Sequence, residues 1–154
     1  MSIGKALQEL RDIQFRLAVS EAQLNMGARI RQDRSEYMNQ FYKVSIPSAM
    51  MGFPITPLMM SNFYINEAFS NLKRSLKGIR KVLNAVAGRY PYIAPSLAQY
   101  LDQVHELEKE LTVIDNMEIG AALRELMNCI SRAKELCASL ITLLNELRLE
   151  LEEG

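Results

Sequence analysis

The chain has no tryptophan, a single histidine and two cysteines, and each scarcity removes a class of chemistry. One imidazole, His105, cannot build a multi-histidine metal site, and two thiols do not complete a zinc set. Di-iron helical bundles need two Glu-x-x-His pairs facing inward, which one histidine cannot supply. Seven glycines spread over 154 residues never cluster into a phosphate-cradling loop. No GxSxG, HExxH or DxDxDG motif occurs. His105, between Val104 and Glu106, reads as a surface residue rather than a general base. Glu106, Glu108 and Glu110, like Glu150, Glu152 and Glu153, read as solvated helix faces. The expectation is a non-enzyme, with no catalytic residue, no metal ligand and no cofactor.

Net charge is also missing: 18 basic residues balance 18 acidic ones. Bulk electrostatics therefore gives no pull toward nucleic acid or an anionic membrane. The N-terminus, MSIGKALQEL, lacks the apolar core of a signal peptide, and charge interrupts the apolar runs elsewhere, so no transmembrane span is expected. Cys129 and Cys137 sit eight residues apart on one helix, about 12 Å at the helical rise, too far to bridge. Their Leu, Ile, Ala and Met neighbours make them small core residues of a reducing compartment, and the expected location is cytoplasmic.

The neutral total hides an uneven distribution. Residues 68–101 carry six bases and no acid, whereas 102–154 carry twelve acids against five bases. A basic helix lying beside an acidic one accounts for this within the fold. A positive face that meets another molecule's negative face is the alternative.

The rest of the composition, 49% hydrophobic and 23% charged, is that of a globular chain, and its length suits one domain, 1–154. Leu and Glu dominate, which favours helices. Ile119, Leu123, Leu126, Ile130, Ala133, Cys137, Leu140, Leu144, Leu147 and Leu151 alternate steps of four and three. This is an a/d heptad seam, and Leu136, Ile141, Leu143 and Leu149 widen it toward a bundle face. The pattern predicts a helix over about 116–152, capped by Asp115 and Glu118. Before it, Ser96 and Gln99 form a capping-box pattern, with Tyr100, Val104, Leu107, Leu111 and Ile114 as the stripe. The TVIDN break at 112–116 separates the two; one kinked rod over 96–152 is the alternative.

A third helix is expected over about 57–88, with Thr56 as N-cap, Pro57 at the first helical position, and Gly88 followed by Pro91 as the stop. Leu72, Leu76, Ile79, Leu83 and Val86 give its stripe. The first helix runs from about Ser2 to Tyr42, with Ile3, Leu7, Leu10, Leu17 and Leu24 in register. Phe15, Val19, Ala22, Met26 and Ile30 form a second apolar row, and Gly27 falls within the helix as a tolerated glycine, with a bend there as the alternative. The fold class is all-α: an elongated antiparallel four-helix bundle with one long apolar Pro/Met-rich connection, 44–56.

That connection belongs to the most unusual stretch of the chain. Between Lys43 and Glu67, 23 consecutive residues carry no charge. Loops normally run over the surface and are polar, so an apolar one needs a cover: the protein's own bundle, a second copy, a partner or a lipid surface. Met50, Met51, Phe53, Ile55, Leu58, Met59 and Met60 are the candidate partner- or oligomer-binding residues. Prolines 47, 54 and 57 exclude a regular spanning helix there.

The expected function is that of a self-associating structural subunit or assembly adaptor, a homo-oligomer with room for a protein partner. The alternative is a subunit of a nucleoprotein assembly that holds nucleic acid on Lys73, Arg74, Lys77, Arg80 and Lys81. A third reading places the apolar loop on a membrane surface.

Overall fold

Ser2 and Thr56 set the starts of the first two helices. The Ser2 hydroxyl accepts the Lys5 amide at 3.2 Å, and the Thr56 hydroxyl accepts the Met59 amide at 3.0 Å. Each satisfies a donor that helix geometry leaves without a partner. The computed structural model describes residues 1–32 and 56–153. Among them are four α-helices and no strand: α1 (Ile3–Gln32), α2 (Pro57–Arg89), α3 (Ala94–Asp115) and α4 (Ile119–Glu153). A 3-10 turn, Pro91–Ile93, joins α2 to α3. The chain is all-α, and none of the described helices is long and apolar enough to cross a membrane.

The heptad seam on α4 turns inward as its spacing requires. Leu126, Ile130, Ala133, Cys137, Leu140 and Leu144 are buried, Leu136 beside them also, and Ile119, Leu123 and Leu147 pack at the margin of the same core. The expected stripes of α1, α2 and α3 are buried too: Ile3, Leu7, Leu10, Leu17 and Leu24; Leu72, Leu76, Ile79, Leu83 and Val86; and Val104, Leu107, Leu111 and Ile114, with Tyr100 half-buried against the same core. One contiguous cluster contains all of them.

α1 packs most extensively along α2, then along α4, while α3 lies against α2 and α4 and does not touch α1. The α1–α2 seam is built from small residues. The buried Ser20 hydroxyl donates to the Ala68 carbonyl at 2.7 Å, and the Ser61 hydroxyl donates to the Gly27 carbonyl at 2.8 Å. At Gly27 an added Cβ would lie 2.7 Å from Ile65 Cγ1 and 3.1 Å from the Ser61 carbonyl oxygen. Gly27 is therefore a contact point between two backbones, not a tolerated glycine on an open face. Gly78 is pressed similarly by the Ile13 side chain. Ser20–Ala68 and Gly27–Ser61 pair rising numbers on α1 with falling numbers on α2, so the two helices run in opposite directions.

Several boundaries differ from the sequence expectation. α3 starts at Ala94 behind the 3-10 turn, with Pro95 in its first turn, so Ser96 lies inside the helix rather than at its cap. Asp115 ends α3 instead of opening α4. The Glu118 carbonyl accepts the Ala122 amide at 2.9 Å, which places Glu118 at the entry to the last helix. The break at Asn116–Glu118 resolves the rod alternative in favour of two helices. There the Asn116 side chain donates to the Thr112 carbonyl at 3.0 Å, and Met117 tucks against the core. α2 runs through Gly88 to Arg89 and stops at Tyr90, whose amide still reaches the Val86 carbonyl at 2.9 Å.

The second apolar row of α1 does not join the core. Ile30 is buried, but Phe15 is 73% exposed and Met26 38%, with Ala22 exposed and Val19 half-buried between them. A helix has only so much circumference to bury, and α2 and α4 both approach α1 from the other side.

Candidate functional site

Two surfaces carry the residues singled out by sequence. The first opens α2. Pro57 is buried, but Leu58, Met59, Met60 and Phe63 are 52%, 55%, 38% and 60% exposed. Met59, Met60, Phe63 and Tyr64 line a shallow depression of about 320 Å³, where the Phe63 and Tyr64 rings meet edge to face at 5.7 Å. Ser61, Ile65 and Ala68 take the inward positions on α1, so the residues between them face out. α3 does not cover this turn, because its last residue, Asp115, lies beside Phe69 and Lys73 in a shared groove. Of the expected binding residues, Leu58, Met59 and Met60 are thus on one exposed helix start. Met50, Met51, Phe53 and Ile55 lie outside the described residues. Phe63 belongs with the cluster and was readable from the sequence as a large apolar residue of the same uncharged stretch, three positions after Met60.

The second surface is the groove between α2 and α3. Phe69, Lys73, Arg74, Lys77 and Arg80 form one wall, and Glu108, Leu111, Thr112 and Asp115 the other, around a volume of about 500 Å³. Arg80 Nη1 donates to both Glu108 oxygens, at 2.9 and 3.1 Å. The Lys73 ammonium stands 5.6 Å from the centre of the Phe69 ring, within cation–π reach. The basic helix and the acidic one therefore meet inside the chain here. Lys81 is exposed and is not among the groove residues. A phosphate chain entering this groove would meet Glu108 and Asp115 as well as the four cations, so its acids offset much of the attraction.

Other charged groups are tied between helices. Lys134 binds Glu21 at 2.9 Å, joining α4 to α1. Arg132 binds both Glu110 oxygens at 2.7 Å, joining α4 to α3. The Arg132 guanidinium holds the Glu110 carboxyl below its ordinary range. The Cys129 thiol donates to the same carboxylate at 3.3 Å, and burial, helped by that carboxylate, pushes the thiol up to about 12. Burial alone pushes Cys137 up to about 11, its thiol donating to the Leu10 carbonyl at 3.3 Å. Reactive cysteines have depressed values and open surroundings; these two are protonated core groups. His105 is exposed. Among the described residues, no three His, Cys, Asp or Glu side chains gather in a way that could hold a metal ion. Comparison of the chain with protein-family models, with curated proteins and with solved structures gives no match.

Proposed function

We propose that this chain is a non-catalytic, self-associating helical protein, a structural subunit or assembly adaptor. The observation that carries the reading is the exposed apolar start of α2, Leu58, Met59, Met60 and Phe63, at the end of a 23-residue stretch without charge. Large apolar side chains grouped on one surface mark contact sites more often than they mark free surface. Methionine suits such contacts because its flexible thioether adapts to the partner. The overall architecture in this reading is an elongated antiparallel four-helix bundle, with residues 44–56 as its one long connection. α4, at about 52 Å, is long enough to give copies a continuous scaffold. The two protonated free thiols suit a reducing compartment such as the cytoplasm.

The test is the solution mass of the full chain by light scattering at tens of micromolar. Self-association predicts a species well above the 17.5 kDa monomer. Met59→Ser with Phe63→Ser should lower the association state while the helical circular dichroism stays intact, because both side chains are exposed. A wild-type chain that remains a monomer would refute the reading.

A second reading, nucleic-acid binding, is favoured by the Lys73, Arg74, Lys77 and Arg80 wall of the α2–α3 groove. It requires measurable binding at low salt that falls steeply as salt is raised, and loss of binding on charge reversal at Arg74 and Lys77. No binding of single- or double-stranded probes at low salt would retire it.

A further inference from the structure

The outward face of α1 carries a row that is its own complement when reversed. Asp12, Phe15, Val19, Ala22, Met26 and Arg29 are spaced by three, four, three, four and three residues. Each lies two residues after a position turned toward the core: Leu10, Ile13, Leu17, Ser20, Leu24 and Gly27, all buried. Two residues are about 200° of helical rotation, so the row lies opposite the buried stripe, with Asp12, Phe15 and Val19 bordering a depression shared with Asn71 of α2. Phe15 is 73% exposed and Met26 38%, while Asp12, Ala22 and Arg29 are exposed and Val19 half-buried. Alternating steps of three and four are the spacing of a coiled-coil seam, and among the described residues Phe15, Ala22 and Met26 of this row stay exposed.

We infer that this face is the contact between two copies of the chain, α1 packing antiparallel against α1 of the second copy about a two-fold axis between Val19 and Ala22. The inference rests on the self-association reading and adds to it a contact on α1, separate from the exposed start of α2. Because the step pattern is the same in both directions, an antiparallel copy brings Val19 against Ala22, Phe15 against Met26 and Asp12 against Arg29. A two-fold contact repeats each pair on the other side of the axis. The small residues fall at the centre, where the helices must come closest. The Phe15–Met26 layers outside them join an aromatic ring to a thioether, a favourable pairing. Asp12 and Arg29 close both ends with opposite charges, and this complementarity favours a second copy over an unrelated occupant. A parallel arrangement would set Asp12 against Asp12 and Arg29 against Arg29. Among the described residues Asp12 accepts a 3.2 Å hydrogen bond from the Gln8 side-chain amide, which a guanidinium can supplement.

A charge swap tests this on the full-length protein, with dimer dissociation followed by sedimentation velocity and helix content by circular dichroism. Asp12→Arg alone sets arginine against Arg29 at both ends, and Arg29→Asp alone sets aspartate against Asp12. Each single change should weaken dimerisation about tenfold or more, as like charges meeting at a contact do. The double variant, D12R with R29D, restores opposite charges and should recover the wild-type dissociation constant. Val19→Glu should break this contact and lower the association state with helix content unchanged. If the wild-type chain self-associates and the single charge variants and Val19→Glu match it, this seam is wrong while self-association stands. A double variant as weak as the singles would overturn the antiparallel pairing. A wild-type chain that stays monomeric overturns both.

Discussion

Gly27→Ala is the sharpest probe of the α1–α2 contact. In an open helix, replacing glycine by alanine stabilises by about 0.5–1 kcal/mol, because alanine restricts the unfolded chain and favours the helix. At Gly27 the new Cβ would sit 2.7 Å from Ile65 Cγ1 and 3.1 Å from the Ser61 carbonyl oxygen. Ile65 is β-branched and 4% exposed, so its Cγ1 cannot swing aside freely, and the second neighbour is backbone. The helices must separate slightly, at a cost of about 1–3 kcal/mol for overpacking. Separation also stretches the 2.8 Å bond from the Ser61 hydroxyl to the Gly27 carbonyl, a further cost of about 0.5–1.5 kcal/mol. The sum, less the helical gain, is a net loss of about 0.5–4 kcal/mol. Urea denaturation should show a lower midpoint at unchanged slope. Gly88→Ala is the control: nothing lies within 4 Å of its added Cβ, and it should leave stability equal or slightly higher. A Gly27→Ala protein as stable as wild type would refute the close approach of α1 and α2.

Leu126→Ala and Leu140→Ala, at 1% and 0% exposure, should each cost about 2–5 kcal/mol, whereas Glu146→Ala on the same helix's exposed face should stay within about 0.5 kcal/mol; equal effects would mean that α4 is rotated. Cys129 and Cys137 should resist alkylation at pH 8 in the folded chain and react on denaturation; rapid native labelling would contradict their burial. From an ordinary value of 9.0 the folded chain raises these thiols to about 12 and about 11. The unfolded chain therefore loses their protons first, so stability is full below about pH 9 and falls as pH rises toward the folded values; a denaturant midpoint rising through that range would contradict the sign. Glu110 has the opposite linkage: Arg132 lowers its folded value below 4.5, so its contribution is present at neutral pH and is lost as acid protonates the carboxyl. With side chains 43% and 37% exposed, solvent screening limits that pair, and Glu110→Gln should cost about 0.5 kcal/mol or less at pH 7.

Periodicity made the α4 seam legible, since a residue's place on a helix follows from its number alone. The same arithmetic marked Leu72, Leu76 and Ile79 on α2 and Val104 and Leu107 on α3. Thr56 and Pro57 announced the start of α2 because capping is a local bargain between a side chain and the nearest amides. Asp115 misled for a similar reason: a good cap residue near a break can end one helix as easily as precede the next. Of the candidate binding residues, Leu58, Met59 and Met60 could be named from the uncharged stretch, but their exposure depends on α3 ending beside Phe69.

Sequence by itself determined that this chain is helical, where α1 and α2 begin, and which stripe of each helix is most apolar. Tertiary structure alone decided which of two apolar rows on α1 is buried. Both the Leu7–Leu24 row and the Phe15–Met26 row satisfy a helical period, and only the positions of α2 and α4 choose between them. It also decided that Gly27 and Ser61 are a backbone contact, and that Arg80 spends its charge on Glu108. The physical reason is the same in each case. Period and propensity are properties of one helix, but burial and pairing depend on which other helix arrives, at what height, and on which side.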